Sequence, residues 1–262
     1  MLTSTFLHIP KIGPRTEQSL WAGGVRTWQD FLQGGGRLPL KPEKREHIQG
    51  YLLQSEKALR RRDYRFFSQL LPPREHWRAY SHFSDRIAYV DIETNGRYGP
   101  EEITVIGLYD GISPRFFIQG QDLEKFPREI KKYDLIVTFF GTCFDLPFLQ
   151  RQFPGLEFPQ LHIDLCFLSR RLGYRGGLKH IETRLGIERS EETVGIDGAQ
   201  AVYLWRQYQR GNQEALDLLI QYNREDIVNL EALLEILYPR VQEQVFPALQ
   251  SGKADPERLH RR

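Results

Sequence analysis

The chain has 262 residues, of which 40% are hydrophobic and 12% aromatic, so it is long and apolar enough for one or two packed domains. Its apolar stretches are too short to span a membrane, its first residues do not form a secretory signal, and its two cysteines make neither a disulfide framework nor a zinc site. We therefore expect a cytoplasmic protein without a membrane partner.

The net charge of +2 hides an asymmetry along the chain. Residues 1–80 contain 14 Lys and Arg against 7 Asp and Glu, whereas the remainder contains 22 against 27. This division favours an N-terminal region that binds a polyanion and a C-terminal region that binds metal.

The first 80 residues carry helical patterns. A helix over about residues 15–21 ends at a glycine pair, and a second one begins near Thr27, which is a suitable N-cap. Residues 42–70 form a further helical pattern, which stops at Pro72 and Pro73 because proline cannot continue a helix interior. We place a domain boundary there. The predicted parts are a helical region at 1–80, a second domain at 84–240 and a polar basic tail at 241–262.

From residue 86 onwards the hydrophobic period changes from helical to alternating, which predicts strands. The strand segments are "RIAYVDIE", "EITVIGLYD", "PRFFIQG" and "DLIVTFF", and turn residues typical of hairpins separate the first three. Helices are then predicted at 146–152, 165–172, 178–185, about 198–210 and about 213–237. An antiparallel start followed by alternating strand and helix predicts an α/β fold, in which helices flank a mixed sheet beside the small helical domain.

Two acids stand on the first predicted strand. Asp91 and Glu93 are two positions apart, so both side chains emerge on one face. Acids at a strand end can also simply face water, and the pair alone leaves that alternative open. Thr94 and Asn95 continue past the strand, where polar groups can meet a substrate backbone. Hard divalent cations such as Mg²⁺ prefer oxygen ligands, so a cluster of such acids favours a metal site.

Three further residues extend this set. Asp145 opens a predicted helix after "FFGTCF", a position that suits an N-cap and a functional group equally. Tyr222 and Asp226 are four apart on a strongly periodic helix, which places the phenol and the carboxylate on one face. A tyrosine there is often core packing, whereas an unpaired buried aspartate is costly. If the fold brings the acids together, they make a two-metal site for cutting phosphodiester bonds.

Four segments resemble one known family, the DEDD 3′→5′ exonucleases of the ribonuclease H-like superfamily, in the branch with tyrosine in the third motif (DEDDy). The resemblance covers roughly residues 84–238 and is strongest to YprB-like proteins. It is carried by "VDIETNG", "GTCFDLPFL", "HIDLCFLSRRLGYRGGLKHIETRLGI" and "YNREDIVNLEALL". It implies a ribonuclease H-like fold and two divalent cations, Mg²⁺ or Mn²⁺. The implied ligands are Asp91, Glu93, Asp145 and Asp226, and Tyr222 would orient the attacking water.

Other positions are candidates for substrate contact. The family often has Asn where this chain has Phe140, which would either stack on a base or pack in the core; Phe144 lies on the same loop. Asp164 in "HIDL" is either an additional acid or the N-cap of the helix that follows. Arg175 and Lys179 flank a Gly-Gly turn at a helix start, where they either contact phosphate or stay solvated.

The N-terminal segment "IPKIGPRTEQSLWAGGV" resembles a helix-hairpin-helix motif, which grips the DNA backbone through hairpin amides. That motif usually contains P-G-I-G, and Lys11 here replaces the first glycine, adding a candidate phosphate contact. The alternative is a small packing element that binds nothing. Backbone binding by this basic region would be independent of sequence and sensitive to salt.

Together these features predict a metal-dependent 3′→5′ exonuclease acting on single-stranded or frayed DNA. A ribonuclease is the alternative within enzymes, because such a site does not itself discriminate the sugar. A nucleic-acid-binding protein with weak or no catalysis is a third interpretation, suggested by Phe140 and the basic N-terminal region. The fourth is a structural protein with a vestigial site, which the complete set of acids argues against.

Overall fold

The computed structural model describes residues 1–34, 40–96 and 102–246. Its strands are β1 (Ile87–Thr94), β2 (Ile103–Tyr109), β3 (Pro114–Ile118), β4 (Leu135–Thr138) and β5 (Leu161–Asp164). They form one sheet in the order β3-β2-β1-β4-β5, with antiparallel pairing among the first three and parallel pairing of β4 with β1 and β5. The predicted mixed sheet flanked by helices is confirmed.

Eleven α-helices lie in the described ranges. They are α1 (Pro14–Ala22), α2 (Trp28–Leu32), α3 (Pro42–Arg60), α4 (Tyr64–Leu70), α5 (Tyr80–Phe83), α6 (Phe126–Glu129), α7 (Asp145–Gln152), α8 (Leu165–Arg171), α9 (Leu178–Leu185), α10 (Gly198–Gln209) and α11 (Gln213–Val245). Short 3-10 helices occupy Leu2–Ser4, Pro73–Ala79, Ser84–Arg86, Leu123–Lys125 and Ile130–Lys132. None of the helices in the described ranges is long and apolar enough to span a membrane.

Three details differ from the sequence prediction. The helix predicted over 42–70 is interrupted, because the Asp63 side chain accepts a hydrogen bond from the Phe66 N–H and starts α4 as a separate helix. Strand β5 is not predicted, since only Leu161 and Ile163 of its four residues are apolar. Helix α11 continues beyond residue 237, through the exposed Pro239, to Val245. Residues 247–262 of the predicted tail lie outside the described residues.

The two faces of the sheet are covered by different layers. Ala88, Val90 and Ile92 of β1 belong to one hydrophobic cluster, together with residues of α6 and α7. Ile87 and Tyr89 belong to another cluster, which contains four leucines of α11, from Leu230 to Leu237. Since side chains alternate along a strand, Asp91 and Glu93 continue the face that α11 covers.

The N-terminal helices are packed onto the β5 edge of the sheet. Phe67 and Trp77 are buried in the same cluster as Leu161 and Leu237, so apolar packing continues from the helical region into the sheet domain. Polar contacts reinforce this junction. The backbone N–H of His162, on β5, donates a hydrogen bond to Nδ1 of His76, on the N-terminal side, at 3.0 Å.

A buried ionic network also lies at this junction. Glu17 accepts hydrogen bonds from the Thr5 hydroxyl and the Phe6 N–H, both at 2.7 Å. Arg78 bridges Glu17 at 3.3 Å and Glu75 at 2.7 Å, and all three side chains are almost fully buried. Removing one partner of such a network leaves an uncompensated buried charge, so these residues fix α1 against the segment that follows the proline pair.

His8 gives the stability of this region a predicted dependence on pH. Its ring is buried 5.2 Å from Trp28 between ring centroids, and burial lowers the pKa of His8 from 6.5 to about 3. In the unfolded chain the ring takes up a proton near pH 6.5, whereas in the folded chain it stays neutral down to about pH 3. The contribution of His8 to the free energy of unfolding is therefore greatest above pH 6.5. As the pH falls below 6.5, the free energy of unfolding decreases by up to about 1.4 kcal/mol per pH unit.

Urea unfolding between pH 4 and 8 measures this effect. The Nε2 of His8 lies 2.8 Å from the Ser55 hydroxyl oxygen, and glutamine can keep a hydrogen bond there. We expect His8→Gln to show a shallower loss of stability below pH 6.5 than the unaltered chain. His180→Asn alters an exposed histidine and serves as the control. Equal pH slopes for His8→Gln and the unaltered chain would contradict the prediction.

Candidate metal centre

Three acids meet on the face of the sheet that α11 covers. Ligand atoms of Asp91, Glu93 and Asp226 all lie within 4.8 Å of one another. The first two project from β1 at alternate positions, and the third projects from α11, which packs across β1 and β2. Glu93 and Asp226 are buried and Asp91 is half-buried. Residues from distant parts of the chain therefore form one carboxylate cluster.

Asp145 lies beside this cluster but is not one of its three members. It is the first residue of α7, and Phe144 holds the N-cap position without a side-chain cap, so the capping alternative for Asp145 does not occur. The backbone N–H of Ile92, between the two acids of β1, favours the charged form of Asp145 and so opposes the rise in its pKa. The start of α7 therefore lies close to the strand that carries Asp91 and Glu93.

Burial makes the charged forms of the four carboxylates unfavourable, and neighbouring negative charges add to this effect. Burial, followed by the nearby charge of Asp226, raises the pKa of Asp91 well above its usual range and that of Glu93 to about 8. Burial also raises the pKa of Asp145 to about 7 and, against the opposing effect of Arg189, that of Asp226. A divalent cation would favour the charged form of each acid. Convergent carboxylate oxygens are the ligands that Mg²⁺ and Mn²⁺ prefer, so this donor set fits such ions.

Asn223 holds the two acids of β1 in place, a role that the sequence did not reveal. Its Nδ2 donates to Oδ2 of Asp91 at 2.9 Å and to Oε1 of Glu93 at 3.3 Å. Asn223 is fully buried on α11, three positions before Asp226. Its amide lies against Gly107 of β2, the residue that pairs with Asp91 across the sheet.

Gly107→Ala is predicted to disturb this arrangement. A Cβ at Gly107 would lie 2.0 Å from Oδ1 of Asn223 and 3.1 Å from Cγ2 of Ile227, so α11 must shift or the amide must turn. We expect a loss of about 1–3 kcal/mol of stability from overpacking. The rise in thermal stability on addition of Mn²⁺ should be smaller than for the unaltered chain, because Asp91 and Glu93 lose their support.

A thermal unfolding series with EDTA or Mn²⁺ tests both effects of Gly107→Ala. Gly50→Ala is the matched control, since Gly50 lies in α3 with no neighbouring atom within 4 Å of an added Cβ. The control should be neutral or stabilising. Unchanged stability and an unchanged Mn²⁺ response in Gly107→Ala would show that the close approach is unimportant.

Arg189 places a positive charge inside the site, and the sequence analysis missed it. Its guanidinium donates two hydrogen bonds to Glu182 of α9, at 2.7 and 2.8 Å, and a third to Oδ1 of Asp226. Glu182 and Asp226 are both buried, and the Arg189 side chain is only 7% exposed. Arg189 therefore neutralises part of the charge of the carboxylate cluster.

Tyr222 lies on the same face of α11 as Asp226, one turn earlier. Burial raises the pKa of the Tyr222 phenol, so it keeps its proton. The Nζ of Lys179 lies 3.0 Å from the phenol oxygen and 4.3 Å from the ring centroid, and it also donates to the Ile196 carbonyl. Lys179, predicted either to contact phosphate or to stay solvated, is half-buried and donates hydrogen bonds to the tyrosine and to the Ile196 carbonyl.

Asp164 organises the loop between β4 and α7. Its two carboxylate oxygens accept from the N–H groups of Phe140 at 2.9 Å and Thr142 at 3.0 Å. It also accepts from the Cys166 N–H at 3.0 Å and so forms the N-cap of α8, as one of the two alternatives predicted. Asp164 is not among the clustered acids. Its contacts are those of a residue that holds a loop in place.

A model of one protein family matches residues 88–238, more than half of the chain, and that family is the RNase H superfamily. The chain belongs to the RNase H superfamily. The matched range includes the clustered acids, Asp145 and Tyr222, and it begins after the N-terminal helices. No curated protein sequence matches the chain.

Three solved structures resemble this RNase H superfamily member at low sequence identity. A family B DNA polymerase from the hyperthermophilic archaeon Pyrobaculum calidifontis is 18% identical over 58% of this chain and 24% of the polymerase, with a TM-score of 0.47. Brucella melitensis NrnC bound to pGG is 18% identical over 65% of this chain and 83% of that one, with a TM-score of 0.39. The Aedes aegypti Nibbler EXO domain is 12% identical over 68% and 92% respectively, with a TM-score of 0.43. The chain thus spans about a quarter of the length of the polymerase.

The other predicted contact residues of the RNase H superfamily domain are half-buried or exposed. Thr94 and Asn95 are half-buried at the end of β1, and Oδ1 of Asn95 accepts from the Glu102 N–H at 3.0 Å. Phe144 is partly exposed, with its ring 4.7 Å from that of Phe148. Arg175 is exposed just before the glycine turn that starts α9.

The predicted hairpin at Lys11 has the backbone of a glycine position. Lys11 is exposed with φ 66°, the left-handed conformation that the usual glycine of the motif adopts easily. In the described residues the segment before it contains only a 3-10 helix, Leu2–Ser4, and not a full first helix. A left-handed residue followed by α1 therefore stands where the helix-hairpin-helix motif is predicted.

Proposed function

We propose that the chain is a divalent-metal-dependent 3′→5′ exonuclease of the DEDDy type that hydrolyses the phosphodiester bonds of DNA. The observation that carries the proposal is the convergence of Asp91, Glu93 and Asp226 within 4.8 Å, on a chain of the RNase H superfamily. Asp145 and Tyr222 lie next to that cluster. DNA with single-stranded or frayed 3′ ends is the favoured substrate.

The four acids would hold two ions of Mg²⁺ or Mn²⁺. When bound, such ions stabilise developing negative charge and lower the pKa of water. The contribution of the protein is positioning: Asn223 fixes the Asp91 and Glu93 carboxylates through two hydrogen bonds.

Tyr222 would position the attacking water. Its phenol keeps its proton and accepts a hydrogen bond from Lys179, so the O–H is free to donate to a water or a phosphate oxygen. Because no protein nucleophile takes part, the rate would depend on how these groups align the water with the scissile phosphorus.

The helical region at 1–80 would hold the substrate strand. It carries 14 basic against 7 acidic residues, and Lys11 is exposed on its hairpin. Contacts of this kind reach the phosphate backbone, so binding should weaken steeply with salt and should not depend on sequence.

The test is cleavage of 5′-labelled single-stranded DNA and RNA by the full chain, with Mg²⁺ or Mn²⁺ and beside Asp91→Asn. A 3′→5′ exonuclease produces a descending ladder from the 5′-labelled strand, and Asp91→Asn should not. The relative rates on the two polymers separate a deoxyribonuclease from a ribonuclease. Absence of cleavage of both polymers with either metal would sink the proposal.

A catalytically weak nucleic-acid-binding protein is the second candidate. Two observations favour it: Arg189 is paired with a proposed metal ligand, Asp226, and Phe140 stands where the family often has Asn. This candidate predicts salt-dependent binding of the labelled strands without a ladder.

A further inference from the structure

Two phenylalanine rings lie exposed side by side, one on the loop that leads to Asp145 and the other on α8. Phe140 is 39% exposed and Phe167 is 42% exposed, with ring centroids 6.3 Å apart. Arg170 lies one turn after Phe167 on α8, and its guanidinium carbon is 5.9 Å and 5.6 Å from the two ring centroids. We call Phe140, Phe167 and Arg170 the aromatic platform.

The backbone holds Phe140 in this exposed position against its own preference. Its φ of 66° lies in the left-handed region, which costs a bulky L-residue about 1–2 kcal/mol. Two contacts enforce it: Asp164 accepts from the Phe140 N–H, and the next residue, Gly141, packs so tightly that an added Cβ would lie 2.2 Å from Oγ1 of Thr138. Strain of this kind is concentrated at functional sites.

The aromatic platform borders a groove. A cavity of about 900 Å³ lies between α8, with Phe167 and Arg170, and the N-terminal helices, with Trp21 and Arg74. The same groove reaches Thr142 on the loop that leads to α7. It therefore runs from the helical region to the loop that ends three positions later at Asp145.

The exposed charges of the groove are positive. Arg74, Arg170 and Arg171 are exposed, and two of them, Arg74 and Arg171, also pair with Glu75. The acids Glu17 and Glu75 are buried, and the third acid, Asp164, is half-buried with its carboxylate bound to backbone N–H groups. The groove thus offers solvent a cationic lining with aromatic rings at one end. A polyanion with flat aromatic groups, which is the chemistry of a nucleic acid strand, matches both features.

We propose that the aromatic platform stacks unpaired bases of a single strand whose 3′ end lies at the carboxylate cluster, and that the strand continues along the groove. This inference rests on the proposed nuclease function for the position of the 3′ end. Stacking needs a free base face, which a duplex covers with neighbouring pairs, so the platform selects single-stranded over double-stranded substrate. It does not read the sugar or the base identity.

Fluorescence anisotropy with a labelled 12-nucleotide oligothymidylate tests the proposal, with EDTA present so that no strand is cut. Loss of one stacked base weakens binding by about 5- to 150-fold, which is the expected increase in Kd for Phe167→Ala. Phe167→Leu keeps an apolar side chain without an aromatic face and should show a similar loss. Arg170→Ala should reduce the slope of log Kd against log salt by about 0.7.

Tyr203→Ala is the matched control, because Tyr203 is 60% exposed on α10 and does not line the groove. It should leave the Kd of the oligothymidylate unchanged. Binding of a blunt duplex of equal length should change little in any platform variant. Thermal unfolding of each variant checks that it folds.

The outcomes separate this proposal from the proposed function. If folded Phe167→Ala and Phe167→Leu bind the oligothymidylate as tightly as the unaltered chain, the platform is overturned even where the chain cuts DNA. If the unaltered chain does not bind the strand at all, the platform is also overturned. If the variants lose binding but the unaltered chain never cleaves, the platform stands and the exonuclease proposal fails.

Discussion

Asp226→Asn is expected to lower the rate of metal-dependent cleavage by about a thousandfold, because charge stabilisation by a bound metal is worth several kcal/mol. The same change should abolish the rise in thermal stability on addition of Mn²⁺. Asparagine keeps the shape of the side chain, so the effect reports the lost charge. A cleavage assay and a thermal unfolding series with and without Mn²⁺ measure the two effects.

Without metal, the same variant should be at least as stable as the unaltered chain. Burial raises the pKa of Asp226, which means that its charged form is disfavoured in the folded protein, and asparagine removes that cost. Arg189 keeps its two hydrogen bonds to Glu182. Asp217→Asn changes an exposed acid on the same helix and should alter neither property. A rate within tenfold of the unaltered chain would contradict the role of Asp226 as a metal ligand.

Arg189→Met is expected to destabilise the chain by about 3–5 kcal/mol, the effect of removing one partner of a buried ion pair. Methionine fills much of the space of the arginine stem but leaves Glu182 and Asp226 without their cation. Glu182 then keeps only the hydrogen bond from Nδ2 of Asn229, at 3.1 Å. Urea unfolding with EDTA measures the loss, and Arg128→Met, at an exposed arginine, is the control.

Two further measurements sharpen this prediction. Mn²⁺ should stabilise Arg189→Met more than the unaltered chain, because it supplies the positive charge that Asp226 has lost. Adding Glu182→Gln to Arg189→Met should recover part of the stability, since it removes the second unpaired carboxylate; the double-mutant cycle gives the coupling energy. A destabilisation below about 1 kcal/mol would mean that the ion pairs are dispensable.

Local periodicity was sufficient to place individual side chains. The two-residue spacing of Asp91 and Glu93 and the four-residue spacing of Tyr222 and Asp226 correctly put each pair on one face of its element. Their meeting across the sheet did not follow from spacing and rested on the resemblance of the motifs. Spacing describes one element at a time, whereas the distance between β1 and α11 is set by packing.

The residues that sequence reasoning missed lack a local signal. Arg189 is 37 positions from Asp226, in a charged segment without hydrophobic period. Asn223 adjoins Tyr222, and in the sequence it resembles any polar residue on a helix. Its role depends on the space left by Gly107 of β2, which is distant in the sequence. Asp164 remained open between two roles because its decisive partners are backbone N–H groups, which every residue type except proline supplies.

The packing of the N-terminal helices has a consequence for how this chain tolerates change over generations. Phe67 and Trp77 share a hydrophobic cluster with the sheet, so a recombination event that exchanged residues 1–80 for another module would expose the apolar surface around β5. A replacement module would need an apolar face that packs against the same surface around β5. Inheritance of the two regions should therefore be linked, and drift within the first should be confined to exposed positions such as Glu46 and Gln49.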